Sequence, residues 1–203
     1  MSRDNYIFRE EKGAKGAPLL FLFHGTGGDE HNLIRLGQQL LPHAHIVSPR
    51  GDVAEGGALR FFRRTGEGNY DMADLAVRVD KMSAFVKAVV ADVQPPSTVA
   101  LGYSNGANII AAMQFADPSL FDAAVLMHPL IPFAPAKADF TGTRVLITAG
   151  RRDPICPSVA TETLAAYYRD NGAALDLFWH QGGHEIGQGE VNAVAKFFHP
   201  EAP

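Results

Sequence analysis

The sequence predicts an α/β fold, with a mostly parallel central sheet and helices on both of its faces. Short apolar segments alternate along the chain with segments whose apolar residues recur every three or four positions. Residues 18–23 form a continuous apolar run, which is typical of a central strand buried on both faces. Of the 203 residues, 46% are hydrophobic and 20% are charged, as in ordinary globular proteins. We therefore expect a single domain over residues 1–203.

The local patterns place the elements in order along the chain. An antiparallel edge strand is expected at residues 6–9, before a glycine-containing turn, and the central strand follows. Further strands are predicted at residues 45–48, 98–101, 123–127, 145–148 and 175–179. Helices are predicted over residues 29–41, 75–93, 104–116, 158–171 and 185–198.

One long segment, residues 51–69, lacks clear periodicity and is rich in glycine and charge. Long loops in compact domains are often functional, so this segment is a candidate for part of a binding site. The chain is too short for a sizeable lid, and an open, shallow site is expected.

Composition excludes several classes of function. The net charge of -4 and the isoelectric point of about 6.0 provide no basic surface for nucleic acid. The amino terminus is charged where a secretory signal needs an apolar core, and no apolar run approaches the roughly 18 residues of a membrane span. We expect a cytoplasmic protein without membrane insertion. The single cysteine, Cys156, excludes an intramolecular disulfide and a multi-cysteine metal site.

The most informative motif is Gly-x-Ser-x-Gly at residues 102–106, between a predicted strand and a predicted helix. This is the pattern of a nucleophile elbow, in which a tight turn lifts a serine hydroxyl off the end of a strand. Gly102 and Gly106 are expected because the turn leaves no room for a Cβ atom on either side. Ser104 is therefore the candidate nucleophile.

An elbow of this kind requires an acid and then a histidine later in the chain. Asp153 follows the strand at residues 145–148, and His184 follows the last strand on a glycine-rich turn. Reactive groups of parallel sheets gather beyond the carboxyl ends of the strands, so Ser104, Asp153 and His184 form the predicted catalytic triad. The alternative for Asp153 is a helix N-cap or a solvated carboxylate.

Other histidines are assigned differently. His180 ends an apolar strand and is expected to be packed, and His128 is interpreted as a packed or rim residue. His43 and His45 have no carboxylate or third histidine at metal-ligand spacing. No metal and no cofactor are expected.

Two backbone amides are expected to form an oxyanion hole. One belongs to Asn105, directly after the nucleophile, and the other is assigned to Thr26, in the glycine-rich loop after the central strand. A dinucleotide cradle is rejected for that loop because Glu30 stands where the third glycine of Gly-x-Gly-x-x-Gly is required.

These motifs together resemble the α/β-hydrolase fold, and more narrowly the small bacterial carboxylesterases of the phospholipase/carboxylesterase family. The likeness covers nearly the whole chain and is strongest with a subgroup associated with hydroquinone-responsive operons. It rests on residues 24–29, 48–51, 61–64, 102–108, 150–155 and 182–184. The resemblance implies hydrolysis of small esters, with the subgroup suggesting aromatic or xenobiotic ones.

Two departures from thioesterase relatives affect the expected substrate. Those relatives have Gln where Asn105 stands and a Trp-Phe-Asp segment near residues 61–64, which makes a long acyl chain less favoured here. Expected substrate contacts are Phe62, Arg63, Arg64 and Ile155, with the arginines holding a carboxylate or forming a solvated loop pair.

The leading hypothesis is a serine carboxylesterase that acts on small or short-chain esters through an acyl-enzyme. An acyl thioesterase or lysophospholipase is the enzymatic alternative, and a non-catalytic ligand-binding module on a hydrolase scaffold is the alternative of another class. A dienelactone hydrolase is less favoured, because that chemistry uses a cysteine at the elbow and Cys156 lies elsewhere. The expected partner is a small-molecule ester. A homodimer through the edge strand or the final helix is considered.

Overall fold

A mostly parallel sheet organises the fold in a computed structural model, which describes residues 3–66 and 68–199. Along the chain the strands are β1 (Phe8–Glu11), β2 (Leu19–Phe23), β3 (His45–Pro49), β4 (Val53–Glu55), β5 (Ala58–Arg60), β6 (Arg64–Gly66), β7 (Asn69–Tyr70), β8 (Thr98–Tyr103), β9 (Ala123–Met127), β10 (Arg144–Gly150) and β11 (Ala174–His180). Seven of them form the main sheet in the order β1-β3-β2-β8-β9-β10-β11, and only β1 is antiparallel to its neighbour.

Helices cover both faces of this sheet, as predicted. They are α1 (Ile34–Leu40), α2 (Met72–Val93), α3 (Asn105–Ala116), α4 (Ser158–Asp170) and α5 (Gln188–Phe198), after a 3-10 turn at Arg3–Asn5. Apolar side chains of α2, α3 and α4 pack into the core on one face, and those of α1 and α5 pack into the core on the other.

The central strand β2 shows why both faces must be covered. All five of its residues are buried. Phe21 and Phe23 enter the core beneath α2 and α3, whereas Leu20 and Leu22 enter the core beneath α1 and α5. Because strand side chains alternate between faces, a continuous apolar run is stable only between two layers of helices. The α/β fold predicted from this run is confirmed.

Two local expectations are corrected. Helix α1 begins at Ile34 rather than near residue 29, because Asn32 Oδ1 accepts the Asp29 N–H and Asp29 Oδ1 accepts the His31 N–H, and such local hydrogen bonds favour turns. The segment at residues 51–69 contains two short hairpins, β4–β5 and β6–β7, rather than one irregular loop. No larger lid stands over the sheet within the described residues.

The predicted domain at residues 1–203 includes positions outside the described ranges, namely residues 1–2, residue 67 and residues 200–203. Within the described ranges, no helix is both long enough and apolar enough to span a membrane.

Candidate active site

Ser104 occupies the sharp turn between β8 and α3. Its backbone is left-handed, with φ 53° and ψ −116°, a conformation that costs a non-glycine residue free energy. The turn is tight enough to exclude side chains on either side. A Cβ on Gly102 would lie 2.5 Å from the Gly106 carbonyl carbon, and a Cβ on Gly106 would lie 2.0 Å from the Phe23 carbonyl oxygen. Both glycines of the motif are thus required by close backbone approach.

The structure brings Ser104, Asp153 and His184 together at the carboxyl end of the sheet. His184 Nε2 lies 2.9 Å from Ser104 Oγ, and His184 Nδ1 lies 2.7 Å from Asp153 Oδ2. Asp153 follows β10 and His184 follows β11, and these strands are paired in parallel. The distances are those of hydrogen bonds, so the imidazole is placed to accept a proton from the serine while the carboxylate fixes its tautomer.

Hydrogen bonds hold Asp153 as a carboxylate. Its Oδ1 accepts the backbone N–H groups of Ile155 (2.8 Å) and Cys156 (3.0 Å). Burial raises the pKa of Asp153, but the hydrogen bonds from Cys156, His184 and His128 outweigh burial and bring that pKa below its ordinary value.

A second histidine also contacts Asp153, and the sequence patterns did not assign it to the site. His128 is fully buried, and its Nδ1 lies 2.9 Å from Asp153 Oδ2. Its other ring nitrogen, Nε2, lies 3.0 Å from Oε1 of Glu190 in α5. The expectation that His128 is packed is correct as to its burial, but the sequence patterns did not indicate these contacts.

The cysteine beside the triad is a neutral thiol. Cys156 is buried, and its Sγ donates to the His128 carbonyl at 3.3 Å. Burial raises the pKa of this thiol well above its ordinary value, so it carries no thiolate near neutral pH.

Two backbone amides are available as an oxyanion hole. Among the described residues, the N–H groups of Thr26 and Asn105 have no hydrogen-bond acceptor, and both residues line the cavity at Ser104. The Asn105 side chain is buried, and its Oδ1 accepts the N–H of Phe61 at 2.8 Å. These positions agree with the predicted pair of donors.

Buried polar contacts support the loop that carries Thr26. His24 accepts the N–H of Gly51 at Nε2 (2.9 Å), and Arg60 donates to Thr26 Oγ1 (2.7 Å). Behind the loop, Glu30 forms a bidentate pair with Arg50 at 2.5 and 2.6 Å. That pair is the main cause of the low pKa of Glu30, about 2.

A cavity of about 380 Å³ opens above Ser104 and His184. The two hairpins contribute Arg60, Arg64 and Tyr70 to its lining, and Ile155 from the loop after β10 also lines it. No Asp or Glu is among the described residues of the lining.

Two of the four expected substrate contacts lie elsewhere. Phe62 is fully buried and packs on Tyr70, with ring centroids 4.6 Å apart. The Arg63 side chain is 65% exposed and lies 3.8 Å from Asp74 at the start of α2. These two assignments are corrected, whereas Arg64 and Ile155 do line the cavity. Arg60 was missed because three of the four expected contacts were taken from residues 61–64, and Arg60 directly precedes them.

Within the part of the chain that the structure describes, two groups of side chains have ligand atoms within 4.8 Å of one another, as a metal site would require. In one group, His128 and His184 each form a hydrogen bond with Asp153 Oδ2. In the other, which joins His128, His180 and Glu190, His180 Nδ1 accepts the N–H of Gly182 at 3.0 Å. A metal at His180 Nε2 would require an imidazolate ring, because Nδ1 already accepts a hydrogen bond. Both groups fit proton sharing better than metal binding.

Comparison with known proteins places this site in a family. The sequence profile of the Dienelactone hydrolase family matches residues 69–185, a range that includes Ser104, Asp153 and His184. The chain belongs to this family. It is also 39% identical over 191 residues to the Bacillus subtilis (strain 168) protein named "Putative hydrolase MhqD", with 93% of this chain and 95% of that protein covered.

Solved structures also resemble this chain over nearly its whole length. The protein Atu2452 of unknown function from Agrobacterium tumefaciens str. C58 is 51% identical, with a TM-score of 0.95 and all of both chains covered. The Bacillus cereus carboxylesterase is 35% identical, with a TM-score of 0.92 and 97% and 94% of the two chains covered. The α/β-hydrolase fold and the resemblance to bacterial carboxylesterases are thereby confirmed. The chain is a hydrolase of the dienelactone hydrolase and carboxylesterase type, and this member has Ser104 at its elbow.

Proposed function

We propose that the protein is a serine carboxylesterase that hydrolyses small esters through an acyl-enzyme. The observation that carries the proposal is the chain of hydrogen bonds from Ser104 through His184 to Asp153, with distances of 2.9 and 2.7 Å. Beside it lie two amides that have no acceptor among the described residues. Similarity to the Bacillus cereus carboxylesterase supports the same reaction class.

In this mechanism Ser104 Oγ attacks the ester carbonyl carbon while His184 Nε2 takes the hydroxyl proton. The amides of Thr26 and Asn105 stabilise the negative charge on the carbonyl oxygen. The tetrahedral intermediate collapses, the alcohol leaves with the proton from His184, and Ser104 is acylated. Water then attacks the acyl-enzyme, His184 takes its proton, and the acid leaves as Ser104 regains its hydrogen.

The cavity favours a small ester that carries a carboxylate. A volume of about 380 Å³ is near the lower end of ligand-binding pockets, which limits the acyl chain. Arg60 and Arg64 line one wall, and guanidinium groups bind carboxylates through paired N–H donors. Glu55 neutralises part of this charge, since it lies 2.8 Å from Arg64 and 3.5 Å from Arg60.

Replacement of Ser104 tests the reaction. Ser104→Ala is expected to lower the turnover of p-nitrophenyl acetate and butyrate by at least about 10³-fold, because the nucleophile is lost. The matched control is Ser119→Ala, an exposed serine before β9, which is expected to keep wild-type turnover. Retention of more than about 1% of activity by Ser104→Ala would contradict the proposal.

Two further measurements separate the alternatives. A series of p-nitrophenyl esters and matching thioesters from acetyl to palmitoyl distinguishes a small-ester hydrolase from a thioesterase or lysophospholipase, which would prefer thioesters or long chains. A fluorophosphonate probe is expected to label the wild-type protein at Ser104. A protein that is not labelled and turns over none of these substrates would be a ligand-binding module.

A further inference from the structure

The Asp153 carboxylate accepts more hydrogen bonds than a catalytic triad requires. Its Oδ2 is shared by two histidines, His184 at 2.7 Å and His128 at 2.9 Å. His128 does not reach the cavity, since it is fully buried and is absent from the lining. Any role of His128 in the reaction is therefore indirect and passes through Asp153.

The contacts of His128 determine where its protons lie. An ionised Asp153 is only an acceptor, so His128 Nδ1 carries a proton. His128 Nε2 lies 3.0 Å from Glu190 Oε1, a close ionic contact whose angle is not that of an aligned hydrogen bond. Two lone pairs at this distance in a buried site would repel, so one of the two groups carries a proton.

Glu190 is held in place as the opposing carboxylate. It is fully buried at the third position of α5, and its Oε2 accepts the N–H of Gly187, the residue before the helix, at 2.9 Å. Burial raises the pKa of Glu190, but the His128 contact and the Gly187 N–H bring it below the ordinary value. Burial lowers the pKa of His128, and the two carboxylates raise it overall. The shared proton therefore resides on His128.

The backbone conformation of His128 costs free energy, so the position of this histidine between the two carboxylates is maintained against strain. Its φ is 53°, the left-handed region that non-glycine residues avoid. The His128 N–H donates to the Thr148 carbonyl at 2.8 Å, and its own carbonyl accepts from Cys156 Sγ. Strained, buried and titratable residues are concentrated at functional sites.

We propose that His128, protonated and held between Asp153 and Glu190, is a positioning residue that orients the Asp153 carboxylate towards His184. The inference rests on the proposed function, since it assigns a role within the same triad. Helix α5 takes part through Glu190, so the final helix is connected to the reacting groups by one chain of contacts: Glu190, His128, Asp153, His184 and Ser104.

Loss of the His128 charge has a defined effect on His184. The ring centroids of the two histidines are 5.1 Å apart. At this distance inside the protein, a charge on one ring acts strongly on the other. The positive charge at His128 offsets part of the negative charge of Asp153, so its removal strengthens the negative potential that Asp153 exerts at His184. The other ionisable groups that face the His128 ring are Asp153, Glu190, His180, Glu185 and Tyr103, and the Cys156 thiol remains neutral.

Two variants separate the hydrogen bond from the charge. His128→Asn keeps an N–H donor near the position of Nδ1 and tolerates a left-handed backbone, whereas His128→Ala keeps neither property. We expect His128→Ala to lower kcat for p-nitrophenyl acetate about 10- to 100-fold with KM nearly unchanged, and His128→Asn to recover most of kcat. Active-site titration with a fluorophosphonate normalises kcat to folded enzyme.

The pH dependence of kcat/KM and NMR spectra both report the charge on His128. Both variants are expected to move the acidic limb of kcat/KM to higher pH, because both remove the positive charge beside Asp153. In the wild-type protein, long-range ¹H–¹⁵N spectra are expected to show both His128 ring nitrogens protonated near neutral pH. The same variants in a Glu190→Gln background leave no buried carboxylate unpaired, which provides folded protein if the single variants unfold.

Two results would overturn the inference. The first is equal kcat in His128→Ala and His128→Asn after normalisation, and the second is an unprotonated His128 nitrogen in the wild-type spectrum. Failure of the proposed function is distinguishable from these results, because Ser104→Ala would then retain activity. An inactive Ser104→Ala together with a fully active His128→Ala rejects only the role of His128.

Discussion

Two regions of different construction meet above Ser104. The elbow side, formed by β8, α3 and the loop after β2, is fixed by backbone contacts and buried polar groups, such as the close approach of Gly106 to Phe23. The hairpin side, residues 50–71, presents long charged side chains to the cavity, and its Arg64 and Glu55 are 33% and 42% exposed. Side chains at that exposure adjust to a ligand more easily than a backbone turn does.

The difference indicates a division of roles. Groups that must meet a reacting carbonyl within tenths of an ångström come from the elbow side and from the loops after β10 and β11. Groups that select a substrate come in part from the hairpin side. Changes on the elbow side are therefore expected to reduce kcat or stability, and changes on the hairpin side are expected to alter KM.

The largest effect is expected from Asp153→Asn. An amide at this position presents an N–H to His184 Nδ1 or accepts too weakly, so the ring adopts the tautomer that cannot take the Ser104 proton. We expect kcat/KM for p-nitrophenyl acetate to fall about 10³- to 10⁴-fold, as removal of this carboxylate does in other triads. The melting temperature serves as a control for folding. A loss of less than tenfold in folded protein would show that Asp153 is not the triad acid.

Gly106→Ala tests the rigidity of the elbow side directly. The new Cβ would lie 2.0 Å from the Phe23 carbonyl oxygen, and neither backbone can move without displacing β2 or α3. We expect a loss of about 3 kcal/mol or more in the free energy of unfolding, measured by urea denaturation.

The hairpin side offers a matched glycine. A Cβ on Gly66 of β6 would lie 3.6 Å from Asn69 Nδ2, which is an ordinary contact. Gly66→Ala is expected to change the free energy of unfolding by less than about 1 kcal/mol. Similar losses for Gly106→Ala and Gly66→Ala would remove the distinction between the two regions.

The sequence predicted the elbow side well because its constraints are local. The motif at residues 102–106, the position of Asp153 after one strand and that of His184 after another are all visible along the chain. His128 was missed although it follows β9, which lies between β8 and β10. The rule that groups residues at the carboxyl ends of strands applies to it as well. The sequence patterns did not reveal the strand order, which brings His128 and Asp153, 25 positions apart in the chain, within hydrogen-bond distance.

The hairpin side was harder to predict for a physical reason. Strands of two or three residues show no usable periodicity, and a shift of one position reverses which side chains face the cavity. Phe62 therefore lies in the core and Arg63 faces Asp74, while Arg64 lines the cavity. Arg60 contributes from β5, a strand that the sequence patterns did not predict.

Arg64→Gln tests whether the hairpin side selects the substrate. We expect KM to rise about tenfold for an ester that carries a carboxylate, such as a monoester of a dicarboxylic acid, because one guanidinium is lost from the lining. The values of kcat, and of KM for the neutral p-nitrophenyl acetate, are expected to change less than twofold.

Arg63→Gln is the matched control for that experiment. Arg63 is adjacent in sequence and carries the same charge, but its side chain is exposed and does not line the cavity. Both KM values are expected to stay near those of the wild-type protein. Equal increases in the two variants would indicate a long-range effect of net charge rather than a contact made by Arg64.

The smallest effect is expected at Glu30, on the elbow side, and it depends on pH. The pKa of Glu30 is about 2 in the folded protein against an ordinary value of 4.5, mainly because of its pair with Arg50. A carboxyl group with a lower pKa in the folded state stabilises the protein above pH 4.5, and this contribution is lost as pH falls towards 2. Glu30→Gln is expected to lower the free energy of unfolding at pH 7 by about 1 kcal/mol, since solvent at the part-exposed Arg50 screens the pair.

Urea denaturation of wild-type and Glu30→Gln protein from pH 7 to pH 3 measures this contribution. The difference between the two proteins is expected to shrink steadily below pH 4.5, because protonation removes the ion pair from the wild type and leaves the uncharged amide of the variant unchanged. Glu162→Gln is the control, since this exposed carboxylate lies 4.0 Å from Arg151 and is expected to contribute less than about 0.5 kcal/mol. A difference for Glu30→Gln that stays constant with pH would assign the loss to packing behind the Thr26 loop instead of to charge.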